Sequence, residues 1–405
     1  MMIRKLGCDP HKIAVIGGGI GGLAAALALL RRGIDVDVYE QSKDFREIGA
    51  GIETSPNGTR VLDALGLKKA FEHVRVELLK RELRHWKTGE TWNWFELGAT
   101  SVESYGAHHM MLHRGDLHRI LLEAVRNLKV DALKLGTKCV GVTQSDQQAE
   151  IRFDTGEVSN AAYAIGADGI HSKVRECLFG VDKPEFAGCV AWRGLVPMEQ
   201  LPPNISRTVG TNWLGPRCHL FHYPICCGEL MNFSGIVERD DWQIEHWRVE
   251  GTTDELANDF CGWHRDVQVL IQNIDSPFKW ALMTRRPLDC WSKGRITLLE
   301  DACHPTLPFL GQGAVMAIED AYVLAACLEK YFEFPIFAFE RYEGIRRTRT
   351  ASVVQKSHEN RKQAFSSALA EESKIAASVK SEWQQVRVNE RLDWLYKYDV
   401  TAARI

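Results

Sequence analysis

The stretch KIAVIGGGIGGLAAALALLRRGIDVDVYE, Lys12 to Glu40, limits what this chain can fold into more than any other part of it. An aliphatic strand, Lys12 to Gly17, runs into glycines at 17, 19 and 22, and the Ala/Leu pattern over 20–32 predicts a packed helix. A second strand, Val36 to Tyr39, ends in Glu40. G-x-G-x-x-G where a strand turns into a helix is a dinucleotide fingerprint. Gly17 makes the tight turn, Gly19 lets a pyrophosphate approach the backbone, and Gly22 lets the helix pack closely on the strand. Free N–H groups at the helix start then face the phosphates. Glu40, eighteen residues past Gly22, is placed to accept hydrogen bonds from ribose hydroxyls, and an acid there disfavours a 2′-phosphate. FAD or NAD therefore fits better than NADP.

Composition narrows the partners. With 405 residues, 45% of them hydrophobic, the chain has room for one large or two joined domains. Fifty basic against 53 acidic residues leave a formal charge of −3, without the electrostatic footprint of a nucleic-acid or anionic-membrane partner. A small molecule is the expected partner, bound by a monomer or homodimer. No apolar run reaches the roughly 20 residues of a membrane span, and the polar opening MMIRKLGCDPHK lacks the apolar core of a signal peptide, so a cytoplasmic location is expected. The eleven cysteines contain no C-x-x-C pair and read as reduced thiols, with Cys226 and Cys227 taken as strand residues. No metal site is expected, because His108, His109, His219 and His222 lack companion ligands at zinc-like spacing.

Two later segments bear on the choice of dinucleotide. In AIGADGIHSKVRECLFG, a strand from Tyr163 to Ile165 leads to Asp168-Gly169 and a helix carrying Ser172 and Arg175, whose charge could orient the aspartate; a simple turn and N-cap is the alternative. In GRITLLEDACHPTLPFLGQGAVMAIEDAYVLAACL, strand Ile296 to Leu299 delivers Asp301, then a Pro-rich loop, then Gly311-Gln312-Gly313 opening a helix. A carboxylate at a strand end can bind a ribityl hydroxyl, and a helix N-terminus beyond it can stabilise negative charge on a reduced flavin.

With these segments in this order, the chain resembles the single-component FAD-dependent aromatic hydroxylases, the family of para-hydroxybenzoate and salicylate hydroxylases. Gly17, Gly19, Gly22 and Glu40 match the ADP-binding fingerprint. Asp168, Gly169, Ser172 and Arg175 match the Asp-Gly motif. Asp301, His304, Pro305 and Gly313 match the second flavin motif, and Arg114 matches an arginine near the FAD. GAGIETSPNGTRVLDALGL, VAWRGLVP, HLFHYP and DWLYKYDV look most like the salicylate, 3-hydroxybenzoate and 6-hydroxynicotinate hydroxylases. The resemblance implies an α/β fold: a Rossmann-like FAD-binding domain with an antiparallel β-sheet substrate domain and C-terminal helices. The expected division is 11–75, 108–180 and 287–365 for FAD, 76–107 and 181–286 for substrate, and 366–405 as a helical tail.

The same resemblance implies cofactor contacts from Gly17, Gly19, Gly22, Glu40, Arg114, Asp168, Asp301, Gly311 and Gly313, with NADH as co-substrate and O2 activated as a flavin C4a-hydroperoxide. The expected substrate is a phenolic or hydroxypyridine ring that carries a carboxylate, met by Arg193, His219 and Pro308. His219 matches the subgroup's active-site histidine and is the expected base; Gln312 and Glu53 are further catalytic candidates. Strand alternation sends His222 to the opposite face. Glu53 stands where the 6-hydroxynicotinate enzymes carry histidine, and a carboxylate there repels a benzoate-type substrate unless it is protonated. Trp92, Trp94 and Trp192 read as core or pocket wall.

One residue departs from the family pattern: Glu300 replaces the glycine before Asp301 and sets a second carboxylate beside the pyrophosphate. Two alternatives stay open. Related folds epoxidise, hydroxylate or reduce larger isoprenoids and polyketides, and a chain that Glu300 deprives of FAD would be a non-enzymatic binding protein.

Overall fold

The computed structural model describes residues 12–45, 50–240, 249–365 and 392–405. The expected helical tail at 366–405 lies mostly outside the described residues. The opening β-α-β unit comprises strand Ile13–Ile16, helix Ile20–Leu30 and strand Val36–Glu40. The two strands pair in parallel, with Ile13 opposite Val36. They sit inside a six-stranded sheet ordered Ser292–Lys293, Ile296–Leu298, Tyr163–Gly166, Ile13–Ile16, Val36–Glu40 and Leu133–Leu135. All neighbours run parallel except the antiparallel edge strand Ser292–Lys293.

Helix Ile20–Leu30 has no polar face, because Ile20 to Leu29 are all buried. Its alanines allow close packing against helices Arg114–Leu128 and Gly313–Tyr331. Burial of an all-apolar helix between neighbours and a sheet is the main hydrophobic contribution to this half.

The other half is an eight-stranded sheet. Its order is Val249–Glu250, Phe278–Thr284, Glu185–Pro197, Leu230–Glu238, Cys218–Ile225, Val209–Gly215, Lys80–His85 and Thr91–Glu96. It is antiparallel throughout except where Val209–Gly215 runs parallel to Lys80–His85. Period-2 alternation divides its faces. Trp192, Trp213, Leu220 and Phe233 pack a core against Phe260, Trp263 and Leu270, while Arg193, Asn212, His219 and Ser234 face the other way.

Cys226 and Cys227 are not strand residues. The strand stops at Ile225, and both cysteines take left-handed backbone (φ 49° and 55°) in a tight turn, where the Cys227 thiol donates to the His73 carbonyl at 3.0 Å. Among the described residues, no helix is long and apolar enough to cross a membrane.

Helices Gly313–Tyr331 and Pro335–Ala364 are joined by a buried guanidinium. Arg346 is fully buried and donates to Glu319 Oε2 and Asp320 Oδ1, each at 2.7 Å, and Asp320 Oδ2 lies 2.5 Å from His304 Nε2. Burial pushes the Asp320 carboxyl upward, but His304 and Arg346 outweigh it and hold it below its usual range. Its contribution to stability is present above the ordinary carboxylate pKa and is lost as pH falls through the lower folded value. Replacing Arg346 with methionine leaves two carboxylates buried without their cation. We expect this to lower the unfolding free energy by about 3–5 kcal/mol, measured by chemical denaturation.

Candidate active site

Two connected cavities lie where the sheets meet. The larger, about 740 Å³, runs from Gly17 and Gly19 past Glu40, Arg114 and Asp168 to Asp301 and Gly313. At its floor the glycines are obligatory for different reasons. Gly17 has φ +112°, and a Cβ there would lie 1.9 Å from the Ala167 carbonyl oxygen; a Cβ on Gly22 would lie 2.0 Å from the Gly17 oxygen. Around Gly19 the space is open apart from Glu300 Oε1 at 3.9 Å, so a ligand can reach the start of helix Ile20–Leu30. Glu40 closes the strand end, accepting from Gly18 N at 2.7 Å and Ser42 N at 2.8 Å. Arg114 opens onto the cleft, and its nearest opposite charges are Glu300 and Asp301.

Asp168 is held by its own helix start. It accepts from Ser172 Oγ at 2.5 Å, Lys173 N at 2.7 Å and Val174 N at 3.1 Å. Arg175 does not orient it, contrary to the sequence-based expectation. The Arg175 guanidinium turns instead to Asp182 at 2.7 Å and to the Ala302 carbonyl at 3.2 Å, tying this helix to the loop that bears Asp301.

These features fit an FAD: open space over Gly19, an exposed helix start, Glu40 at one end, and Arg114 with Asp301 toward the other. Glu300 is the exception in detail. It holds left-handed backbone (φ 57°), and its Oε2 accepts from Gly21 N at 3.2 Å, so its carboxylate takes the helix start that a pyrophosphate would use. Burial, and then Asp301, push its pKa well above the usual carboxylate range.

The smaller cavity, about 280 Å³, lies between the eight-stranded sheet and the segment Thr306–Ala314. Pro308, Gly311, Gln312 and Gly313 line it from that segment, and Pro308 and Gly313 also line the larger cleft. Glu53 enters on strand Gly51–Thr54, which Gly51 N anchors to the sheet by donating to Asn232 Oδ1 at 2.6 Å. Glu53 Oε2 receives Arg81 Nη1 at 3.3 Å and lies 3.6 Å from His109 Nε2. Burial pushes this carboxyl upward, but Arg81, His109 and Arg193 outweigh it and keep it below its usual range. Glu53 is therefore ionised, and Arg81 offsets the charge that the sequence made an obstacle to a benzoate-type substrate. Arg81 is also fully engaged: Nε and Nη2 donate to Asn212 Oδ1 at 3.3 and 3.0 Å, and the guanidinium lies 4.1 Å from the Phe221 ring and 4.9 Å from that of Trp94.

Because Arg81 occupies Asn212 Oδ1, the Asn212 amide must present Nδ2 to His219 Nε2, 3.1 Å away. The His219 Nε2 then accepts, and the proton of the neutral ring sits on Nδ1, which has no partner among the described residues. Burial, then Arg81, push the His219 pKa down to about 4, so the ring is neutral near pH 7. His222 is buried on the other face near Arg84 and Trp213. Arg193 is half-buried, 5.4 Å from the Trp280 ring, with its buried Nε unpartnered, and among the described residues no carboxylate forms an ion pair with it. Gln312 is committed elsewhere: its side chain accepts from Asn57 Nδ2 at 3.1 Å and donates to Ser55 Oγ at 2.9 Å. A catalytic amide was expected there; the buried network that anchors the helix start uses it instead.

Arg81, Asn212, His109 and Tyr223 were missed by sequence reasoning. Strand alternation could have found Tyr223, two and four residues beyond Phe221 and His219, whereas Arg81 belongs to no motif.

A family model described as an FAD binding domain matches residues 11–357. The chain is 41% identical over 348 residues to a 3-amino-4-hydroxybenzoate 2-monooxygenase of Streptomyces platensis, covering 86% of this chain and 87% of that one. It is 34% identical over 394 residues to a 6-hydroxynicotinate 3-monooxygenase of Pseudomonas fluorescens, covering 96% and 95%. Among solved structures, Klebsiella pneumoniae HpxO complexed with FAD and uric acid superposes with a TM-score of 0.81 at 27% identity, covering 96% of each chain.

Glu300 generates a direct test. The Glu300→Gly variant should bind FAD about tenfold more tightly at mildly alkaline pH, because it relieves like-charge repulsion and left-handed strain. The advantage should shrink on acidification, as the wild-type carboxyl takes up its proton. Quenching of free FAD fluorescence on titration with apoprotein reads this.

Proposed function

Since the chain belongs to the family of FAD-dependent aromatic monooxygenases, we propose that it uses NADH and O2 to hydroxylate a single-ring aromatic acid carrying a phenolic or hydroxypyridine oxygen. The observation that carries this reading is the chamber itself: it is small, sits beside the proposed flavin cleft, and holds a half-buried arginine with no carboxylate partner among the described residues. A volume of about 280 Å³ is at the low end for ligand pockets, which favours one ring over an isoprenoid or polyketide. Bound FAD would supply hydride acceptance and oxygen activation. Gly17, Gly19, Gly22, Glu40, Arg114, Asp168, Asp301, Gly311 and Gly313 are the residues proposed to hold it.

In this reading the protein binds the ring, orients it and manages one proton. Arg193 pairs with the substrate carboxylate, replacing the water lost on burial with a charge-assisted contact. His219 donates its Nδ1–H to the ring oxygen and favours the phenolate, which makes the neighbouring ring carbon more nucleophilic. This role differs from the general base expected from sequence, because Asn212 already occupies the Nε2 lone pair. Pro308, on the segment between the two cavities, contacts the ring edge. NADH in preference to NADPH rests on the resemblance to the salicylate and 3-hydroxybenzoate hydroxylases.

The test is NADH oxidation and product formation with 3-amino-4-hydroxybenzoate, 6-hydroxynicotinate, 3-hydroxybenzoate and salicylate. At least one should stimulate oxidation and yield a hydroxylated product; stimulation by none of them would overturn the reading. With the responsive acid, Arg193→Gln should raise KM by about 30-fold or more with a smaller change in kcat, the signature of lost ground-state binding. The pH dependence of kcat/KM should show no His219 inflection near neutrality, since that ring gains its proton only as pH falls through about 4.

A further inference from the structure

Glu53 has one oxygen in use and one open. Oε2 faces Arg81 and His109, whereas among the described residues no donor reaches Oε1. That open oxygen lies against Gly311, where a Cβ would come within 1.7 Å of it, so the carboxylate reaches the flavin-side mouth of the chamber only because residue 311 is glycine. An ionised oxygen on a half-buried side chain that lines the chamber, with an empty acceptor position, wants an N–H or O–H.

We infer that Glu53 Oε1 reads an amino substituent on the substrate ring, so that the preferred substrate class is the amino-hydroxy aromatic acids. This rests on the hydroxylase reading above and deepens it. A ring hydroxyl that ionises in the reaction would meet Glu53 as a second negative charge, and it belongs at the His219 Nδ1–H instead. The carboxylate belongs at Arg193, because Arg81 is engaged by Glu53 and Asn212. The substituent facing Glu53 must keep its hydrogens throughout, and an aromatic amine does. Glu53, Arg81, Asn212 and His219 form one chain of contacts along the wall, so the donor-reading and acceptor-reading positions are fixed relative to each other.

Calorimetric titration of FAD-loaded protein with 3-amino-4-hydroxybenzoate, its 3-methyl isostere and 4-hydroxybenzoate tests this. Wild type should bind the amino acid about 30-fold more tightly than the methyl isostere, the scale of a hydrogen bond to a charged group. Glu53→Gln, which keeps the shape and removes the charge, should cut that ratio to a few-fold. Glu53→Leu should abolish or invert it. Retained FAD and an unchanged thermal melt identify folded variants. An amino preference absent from wild type, or one that survives both substitutions, overturns the inference while leaving the hydroxylase reading intact. If folded, FAD-loaded wild type binds none of the three acids, the hydroxylase reading fails and takes this inference with it.

Discussion

The site depends on the buried guanidinium of Arg346. It grips Glu319 and Asp320, and each carboxylate passes the constraint onward: Asp320 to His304, Glu319 to Asn57, and Asn57 to Gln312. Removing two carboxylates and a cation from water is favourable only when every partner is in place, so this network is all-or-none. What it fixes is the segment between the two cavities. His304 follows Asp301 in the cleft, and Gln312 sets the start of helix Gly313–Tyr331 beside the chamber.

Charge is arranged differently in the two cavities. In the cleft, Glu300 and Asp301 crowd one end with Arg114 as the nearby cation, and burial drives both carboxyls toward their neutral forms. In the chamber, Glu53 is balanced by Arg81, and Arg193 is left over. The cleft thus holds carboxyls that lean toward their neutral forms, while the chamber holds one cation more than its carboxylates balance. Neutral His219 adds a directed donor without adding charge.

Legibility in the sequence followed distance along the chain. The dinucleotide half was readable because its glycines, strands and terminal acid are local, and each glycine answers one steric demand that the structure displays: Gly17 beneath the Ala167 carbonyl, Gly22 against Gly17. Asp168 and Arg175 were found, but the direction of the arginine depends on Asp182, in a loop that no motif marks. The chamber was mostly unreadable, since Arg81 meets Asn212 only through a parallel strand pairing set by tertiary register, with Leu83 opposite Asn212. His219 could be located by alternation, yet its tautomer follows from the third residue in that chain of contacts. Cys226 and Cys227 were misread because an apolar run gives no warning of a left-handed turn made without glycine at either position. Glu300 stood out at once as a departure, while the destination of its carboxylate, the amide of Gly21, needed three dimensions.

The central claim is that one atom of O2 is transferred to a ring held in the chamber. Turnover of the FAD-loaded protein with NADH and an aromatic acid that stimulates it, under oxygen-18 gas, tests this most directly. The account predicts a ring product heavier by one labelled oxygen, with the second labelled atom in water. A product without label, or consumption of NADH and O2 that yields only hydrogen peroxide with every acid, would contradict it.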